Sequence, residues 1–122
     1  MVKVTKVLLL LKSMIYESTS PMELLRFCKY YRRTKGLDVT VVLWGSMGIL
    51  LAKKNKRHRM RYEEEVQECI DMGVKFICCD MGAMIIGLDE SELMEGVKIE
   101  ASHKVADLLL EYQEEGQLIF SL

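Results

Sequence analysis

The sequence is poor in several residue types and patterns that mark particular classes of protein. It has one proline and two histidines, His58 and His103, and so few histidines exclude a histidine-rich metal centre. Its longest uncharged stretch, residues 39–52, is shorter than the about 20 residues that a membrane-spanning helix needs. The 17 basic side chains balance 18 acidic ones, which argues against a protein that coats nucleic acid and against an acidic tail.

No export signal and no paired-cysteine motif is recognisable either. The opening MVKVTKVLLLLK contains an apolar run of only five residues, 7–11, and no small-residue cleavage site, so it indicates a strand and not a signal peptide. Four cysteines without such a signal predict reduced thiols in the cytoplasm. Because no CxxC pair occurs, neither a zinc site nor a thioredoxin-type dithiol is expected, and we predict no metal and no cofactor.

What the sequence does contain is an apolar chain of domain size. Half of its 122 residues are apolar, which is too many for a disordered segment, and neither a linker nor an internal repeat is recognisable. We therefore expect one domain over residues 1–122, burying roughly two thirds of the surface of the unfolded chain.

Five apolar runs alternate with helical patterns along the chain. We predict a strand for each run, at residues 4–11, 38–43, 74–79, 97–100 and 117–122. Near-continuous apolar strands that alternate with helices are typical of a parallel sheet covered on both faces. The pattern therefore predicts an α/β fold in three layers.

Capping residues and glycines predict where the helices begin and end. Residues 20–23 read Ser-Pro-Met-Glu, which predicts a capping box with Ser20 as the N-cap and Pro21 at the first helical position, and Gly36 ends that helix. Ser102 is predicted to cap a last helix that ends at Gly116. Further helical stretches are predicted at residues 49–53, 62–73, 80–88 and 92–96.

Ligands of parallel sheets bind beyond the carboxyl ends of the strands, and two strand ends are unusual here. The first reads Cys78-Cys79-Asp80-Met81-Gly82. A thiol facing a helix N-terminus loses its proton more readily, and the thiolate is the nucleophile of sulfur transfer and thiol–disulfide exchange. Because side chains alternate along a strand, Cys78 and Cys79 are expected on opposite faces, with Cys79, nearer the loop, the more accessible.

Two interpretations of this strand end stay open. Either Cys79 is a reactive thiol, or Cys78 and Cys79 are both small core residues, as free cysteine often is. The carboxylate of Asp80 argues against a reactive Cys79, because it disfavours a second negative charge beside it. Cys28 and Cys69 lie on the apolar stripes of their helices and are predicted to be core residues. His103, near the start of the last helix, either reaches the site around Cys79 or is a surface residue.

The second unusual strand end, residues 44–48, reads WGSMG. It lacks the GxGxxG and GxxxxGK[ST] spacings of phosphate-binding loops, so a tight turn is favoured over a nucleotide site. We predict that Trp44 and Met47, together with Met81 and Met84, line a soft apolar pocket or a subunit interface; a core position explains these side chains equally well.

A basic segment, residues 53–61, begins at Lys53, ends at Arg61 and reads KKNKRHRMR. Glutamates follow it, so the charge changes sign within a few residues. Since no aromatic residues within it offer stacking platforms for bases, a solvated connection or a docking surface for a protein partner is favoured over a nucleic-acid groove.

Several segments match one family in order and in kind. The opening strand KVLLLLKS precedes an amphipathic helix, and DVTVVLWGSMGILLAKKN follows as strand, glycine turn and helix start. The most specific segment is GVKFICCDMGAMIIGLDESELMEGVKI, with its strand, cysteine, short apolar helix and acidic stretch, and the tail is ASHKVADLLLEYQEEGQLIFSL. Over nearly its whole length the chain resembles the DsrE/DsrF-like family of small sulfur-relay proteins.

The resemblance implies a fold, an assembly and a site. The fold is a five-stranded, mainly parallel, Rossmann-like sheet, and the assembly is a homo-oligomer, either a trimer or a hexamer. Cys79 occupies the position of the family's cysteine, which holds a persulfide in the members that keep it.

We therefore predict a cytoplasmic sulfur-carrier or thiol-redox protein that holds a persulfide on Cys79 and passes sulfur to a partner docking at the basic segment. Gly82 and Ala83 would leave room for the sulfur atom, and Cys78, Asp80 and His103 are further supporting candidates. Neither membrane nor nucleic acid is expected as a partner. The rival hypothesis is a non-catalytic, oligomeric ligand-binding or scaffolding subunit with packed, unreactive cysteines, and a nucleotide-binding switch is a third.

Overall fold

A computed structural model describes residues 2–15, 18–54 and 62–122, apart from the side chains of Ser46 and Met47. The strands in these ranges are β1 (Lys6–Leu11), β2 (Asp38–Leu43), β3 (Lys75–Cys79), β4 (Lys98–Glu100) and β5 (Leu118–Ser121). The helices are α1 (Ser20–Lys29), α2 (Gly45–Ile49), α3 (Tyr62–Asp71), α4 (Asp80–Ile86) and α5 (Ser102–Glu114). None of these helices is long and apolar enough to cross a membrane.

The strands form one sheet in the order β4-β3-β2-β1-β5, and all its pairings are parallel. β1 pairs with β2 from Lys6 opposite Asp38 to Leu11 opposite Leu43. Towards the edge formed by β4, Cys79 of β3 pairs with Glu100. The predicted α/β fold with a five-stranded parallel sheet is confirmed.

Alternating side chains divide the core between the two faces of the sheet. On one face, residues such as Leu9 and Val41 pack in a cluster with buried side chains of α1 and α3. On the other face, Leu8 and Val42 pack against Val105 of α5 and its neighbours. The sheet therefore lies between α1 and α3 on one side and α5 on the other, which gives the three predicted layers.

The strands lie within two residues of their predicted bounds, whereas the short helical pieces are shifted. The helix predicted at residues 49–53 begins earlier, at Gly45, and its end tightens into a 3₁₀ turn, Leu50–Ala52. The turn predicted at residues 92–96 lies at Glu90–Glu92. Strand positions follow from long apolar runs, while a single helical turn leaves almost no periodicity to detect.

Two helix starts differ from the prediction. The capping box at Ser20 is wrong, because Thr19 is the N-cap of α1 and no side chain caps it; the N–H of Ser20 donates instead to Ser18 Oγ at 3.0 Å. Ser102 is likewise not an N-cap: Ala101 takes that position and Ser102 is the first residue of α5. Small polar residues predict that a helix starts nearby, but they do not reveal which backbone unit turns helical first.

Candidate functional site

The consecutive cysteines at the end of β3 point to opposite faces of the sheet. Cys78 is fully buried in the cluster shared with α1 and α3. Burial, followed by the charge of a Cys79 thiolate, raises the pKa of Cys78 to about 12, so Cys78 is a neutral core thiol at physiological pH. Cys79 points to the α5 side and keeps 6% of its surface exposed.

Cys79 is linked to the start of α5 through a serine. Its Sγ lies 3.3 Å from Ser102 Oγ. The Ser102 hydroxyl also lies 2.9 Å from Asp80 Oδ1, and the backbone N–H of Ser102 donates to the same oxygen at 3.2 Å. Since Asp80 begins α4 and Ser102 begins α5, one carboxylate joins two helix N-termini, where a negative charge is favourable.

The strand register explains why Ser102 reaches this position. Glu100 of β4 lies opposite Cys79 of β3, and α5 begins two residues after Glu100. Sequence reasoning gave Ser102 the role of a helix cap and did not predict its contact with Cys79. The available signal was a polar residue directly after the fourth strand, but its meaning depends on β4 being the neighbour of β3.

A groove of about 200 Å³ lies on the sheet face that carries Cys79. Ile77, two residues before Cys79 on the strand, lines it together with Val105 of α5. Glu100 and Lys104 also line it, and their side chains form an ion pair at 3.6 Å. The groove thus offers an apolar floor and both signs of charge on the same face as the thiol.

Gly82 and Ala83 are buried, and the small size of Gly82 is required by helix packing. A β-carbon at Gly82 would lie 2.6 Å from Ile49 Cδ1 and 2.9 Å from the carbonyl carbon of Gly45. Real β-carbons essentially never approach other atoms so closely, and α4 therefore lies directly on α2. The space predicted beside Gly82 for a sulfur atom is filled by α2.

The glycines after β2 also have structural explanations. Gly45 begins α2 with a φ of 76°, which favours glycine. A β-carbon at Gly48 would lie 2.3 Å from the carbonyl oxygen of Leu11, so α2 packs closely on the end of β1. These contacts agree with the tight turn that the spacing of the glycines favoured.

Apolar residues predicted for a pocket or an interface lie at the surface. Met81 and Met84 of α4 are 52% and 69% exposed, and Ile85, which the sequence did not single out, is 70% exposed. The three side chains, which we call the α4 face, have the spacing of one helix face. Trp44 is also exposed, and the side chain of Met47 lies outside the described part of the chain. For Met81, Met84 and Trp44 the core explanation is wrong.

Two other predicted elements are His103 and the basic segment. His103 is exposed on α5, one residue beyond the serine that contacts the thiol. At the start of the basic segment, the N–H of Lys54 donates to the carbonyl oxygen of Glu92 at 2.8 Å. The rest of the segment, residues 55–61, lies outside the described residues.

The remaining cysteines are in the core, as predicted. Cys28 of α1 and Cys69 of α3 are fully buried, and Cys69 Sγ lies 3.9 Å from the carbonyl oxygen of Leu25. A hydrogen bond with Cys69, followed by burial, raises the pKa of Cys28 well above its usual range. All four thiols, including Cys78 and Cys79, are free.

Comparison with known families gives a match over most of the chain. The sequence profile described as the DsrE/DsrF-like family matches residues 5–114. The chain belongs to the DsrE/DsrF-like family. Membership supports a role related to sulfur relay in general terms. No curated protein sequence matches the chain significantly.

Solved structures share the DsrE/DsrF-like fold at low sequence identity. The YchN protein of E. coli superposes with a TM-score of 0.84 at 16% identity, covering 98% of this chain and 100% of YchN. MTH1491 of Methanobacterium thermoautotrophicum, described as of unknown function, superposes with a TM-score of 0.71 at 21% identity, covering 96% of this chain and 98% of MTH1491. BT1422 of Bacteroides thetaiotaomicron, also described as of unknown function, superposes with a TM-score of 0.71 at 18% identity, covering 96% of this chain and 95% of BT1422. At such identities the likeness shows the fold alone.

In this DsrE/DsrF-like protein, Cys79, Ser102 and Asp80 stand together at the carboxyl edge of the sheet. Parallel sheets bind ligands at that edge, because the loops that leave the strands form a crevice there. A thiol, a hydroxyl and a carboxylate in hydrogen-bond contact can hold a sulfur nucleophile and move a proton beside it.

Proposed function

We propose that this protein is a sulfur carrier that holds a persulfide on Cys79 and transfers the sulfur to a partner protein. The observation that supports the proposal most is the difference in burial among its four thiols. Cys79 retains exposed surface, whereas Cys28, Cys69 and Cys78 have none. In addition, the Sγ atom of Cys79 contacts a hydroxyl group that can donate to a negative sulfur atom.

The proposed transfer is a sulfur exchange without a change in overall oxidation level. The Cys79 thiolate attacks the terminal sulfur of a persulfide donor, and the S–S bond of the donor breaks. The electron pair of that bond leaves on the donor's thiolate, which takes up the proton that Cys79 has lost. Cys79 then carries a persulfide, and a thiolate of the partner removes its terminal sulfur by the same exchange. One sulfur moves per round, so the protein acts as a stoichiometric carrier.

The proposal also includes an assembly and a location. The α4 face exposes two methionines and an isoleucine on the helix that directly follows Cys79, and adaptable methionine side chains suit an interface. We assign this face to contacts within a homo-oligomer, a trimer or a hexamer. The relay partner docks at the basic segment, residues 53–61. A reducing cytoplasm is the compartment in which the thiol stays available.

Mass spectrometry after incubation with a sulfane sulfur donor tests the carrier. We expect the wild-type chain and the Cys78→Ala variant to gain one sulfur atom, and the Cys79→Ser variant to gain none. Reductant should remove the added sulfur from both loaded proteins. A Cys79→Ser variant that gains sulfur at the wild-type stoichiometry contradicts the assignment.

The burial of Cys79 favours a second candidate, the scaffolding subunit with unreactive cysteines. Only 6% of Cys79 is exposed, and its thiol is in contact with Ser102. In that case all four thiols should alkylate slowly and only when the chain unfolds. In the carrier, Cys79 alkylates in the folded protein, well before the other three.

A further inference from the structure

The hydroxyl of Ser102 lies between two groups that compete for its hydrogen. Ser102 Oγ is 2.9 Å from Asp80 Oδ1 and 3.3 Å from Cys79 Sγ. The backbone N–H of Ser102 holds the same carboxylate oxygen at 3.2 Å, which fixes Asp80 beside the hydroxyl. The three groups therefore form a short chain in the order Cys79, Ser102, Asp80.

The chemistry of the three groups decides the direction of the hydrogen bonds. An ionised carboxylate only accepts hydrogen bonds, so the Ser102 hydroxyl donates its hydrogen to Asp80. A hydroxyl has a single hydrogen, and its oxygen is then left to accept from Cys79. The contact at 3.3 Å is therefore an S–H···O bond in which the thiol donates. A thiolate in the same place would face the lone pairs of the serine oxygen.

We propose that Asp80, acting through the Ser102 hydroxyl, holds Cys79 as a neutral thiol in the resting protein, and that this hydroxyl turns towards Sγ when Cys79 ionises. Both are then positioning residues, because they act on the thiol and not on the sulfur donor. What Cys79 does once ionised rests on the proposed function. The ionisation releases the thiol proton to solvent, and the turned hydroxyl donates to the thiolate. Asp80 keeps the hydrogen bond from the Ser102 N–H.

Other titratable groups lie near Cys79 but are not joined to its sulfur through the Ser102 hydroxyl. Glu100 lies opposite Cys79 on β4, and Lys104 of α5 offsets its charge in the ion pair at 3.6 Å. His103 is exposed on α5, and Cys78 lies on the opposite face of the sheet. Asp80 differs from them because its carboxylate joins Cys79 through a hydrogen-bonded hydroxyl. It also repels a thiolate through space, and an experiment must separate the two effects.

A double-mutant cycle makes that separation. The rate of alkylation of Cys79 by iodoacetamide is measured against pH in the full chain, carrying Asp80→Ala, Ser102→Ala, both or neither. Alanine removes the acceptor of the Ser102 hydroxyl, so we expect Asp80→Ala to lower the midpoint of the pH profile and to speed alkylation at pH 7 roughly tenfold. With Ser102→Ala present, the same change should speed it less than about threefold, since only the through-space charge is lost. Ser102→Thr, which keeps the hydroxyl, should restore the larger effect.

Equal effects of Asp80→Ala with and without the hydroxyl overturn the proposal, as does the absence of any acceleration. A measurement on the unaltered chain covers the case in which a variant fails to fold. The S–H stretching band of Cys79 in the Raman spectrum, assigned by its loss in Cys79→Ser, should be present at pH 7 and shifted as for a donating thiol. An unshifted band, or no band, overturns the proposal.

This experiment is independent of sulfur transfer. Alkylation and the S–H band are recorded with no sulfur donor present, so they report only the hydrogen bonds of Cys79. A protein that takes up no sulfur can still give the expected cycle, which would leave the Asp80–Ser102 inference intact and remove the carrier. Uptake of sulfur by a protein that shows no coupling between Asp80 and Ser102 would support the carrier and overturn the Asp80–Ser102 inference.

Discussion

Gly82 of α4 packs directly against the backbone of Gly45 at the start of α2. A β-carbon on Gly82 would lie 2.9 Å from the carbonyl carbon of Gly45, which leaves no room for a side chain. α4 begins with Asp80, immediately after Cys79. The contact between Gly82 and Gly45 therefore fixes the position of the Asp80 carboxylate in the first turn of α4 and of the α4 face that follows it.

Replacing Gly82 by alanine should therefore destabilise the protein, although alanine is the better helix former by about 1 kcal/mol. Forcing a methyl group into this contact moves α4 away from α2, and we expect the free energy of unfolding to fall by about 1–3 kcal/mol. Urea denaturation measures this free energy of unfolding. Leu110→Ala, at an exposed leucine of α5 outside the α4 face, is the control and should stay within about 0.5 kcal/mol of wild type. A Gly82→Ala variant as stable as the control contradicts the packing argument.

The parts of the fold that the sequence predicts correctly are those set by local periodicity. Residues 38–43, which are rich in valine, are β2, and the alternation of a strand places Cys78 and Cys79 on opposite faces. Cys28 and Cys69 lie on helix stripes and are buried. Each of these inferences needs only the neighbours of a residue along the chain.

The parts that escape prediction depend on residues distant in sequence. Ser102 contacts Cys79 because β4 pairs with β3, and strand order cannot be derived from the apolar runs. The smallness of Gly82 is explained by α2, far away along the chain, and not by a bound sulfur. Ile85 resembles a core residue by type, and its exposure becomes evident only when nothing in the described chain packs over it.

The ionisation of Cys78 should make the protein less stable in alkali. Burial raises the pKa of this thiol from 9.0 to about 12 in the folded chain. Below pH 9 the thiol is protonated in both states and adds no pH dependence; above pH 9 the unfolded chain loses the proton first, so stability falls until about pH 12. At pH 10.5 the loss from this group is about 2 kcal/mol.

Urea midpoints at pH 8 and pH 10.5 measure this loss. At pH 8 the Cys78→Ala variant is less stable than wild type, because it leaves a cavity. Between pH 8 and pH 10.5 its stability should decrease by less than that of wild type, because the variant lacks the thiol that ionises. Comparing the two decreases removes the contribution of the other groups that titrate in alkali. Equal decreases in the two proteins would mean that Cys78 ionises alike in the folded and unfolded chains.

A charge placed on the α4 face should weaken self-association. The double variant Met84→Glu/Ile85→Glu puts two carboxylates where we propose that copies of the chain meet, and burying them unpaired is costly. Sedimentation velocity should show the wild type as a trimer or hexamer and the variant as smaller species. Leu110→Glu, at an exposed leucine of α5, is the matched control and should leave the assembly unchanged. If the control dissociates the assembly and the double variant does not, the interface lies on α5.

Arg32 and Arg33 are consecutive basic residues that should differ in their effect on stability. Arg32 Nε donates to the carbonyl oxygen of Met72 at 2.8 Å, just beyond the end of α3, whereas Arg33 is exposed. Arg32→Ala leaves that partly buried carbonyl without its charged donor and should lower the free energy of unfolding by about 1–2 kcal/mol. Arg33→Ala should change it by less than about 0.5 kcal/mol. Arg32 also donates to the carbonyl oxygen of Leu37 at 3.4 Å and pairs with Asp38 at 3.6 Å. Each variant removes one positive charge, so the difference between their urea midpoints measures these contacts of Arg32 together, and equal midpoints would assign them no net contribution.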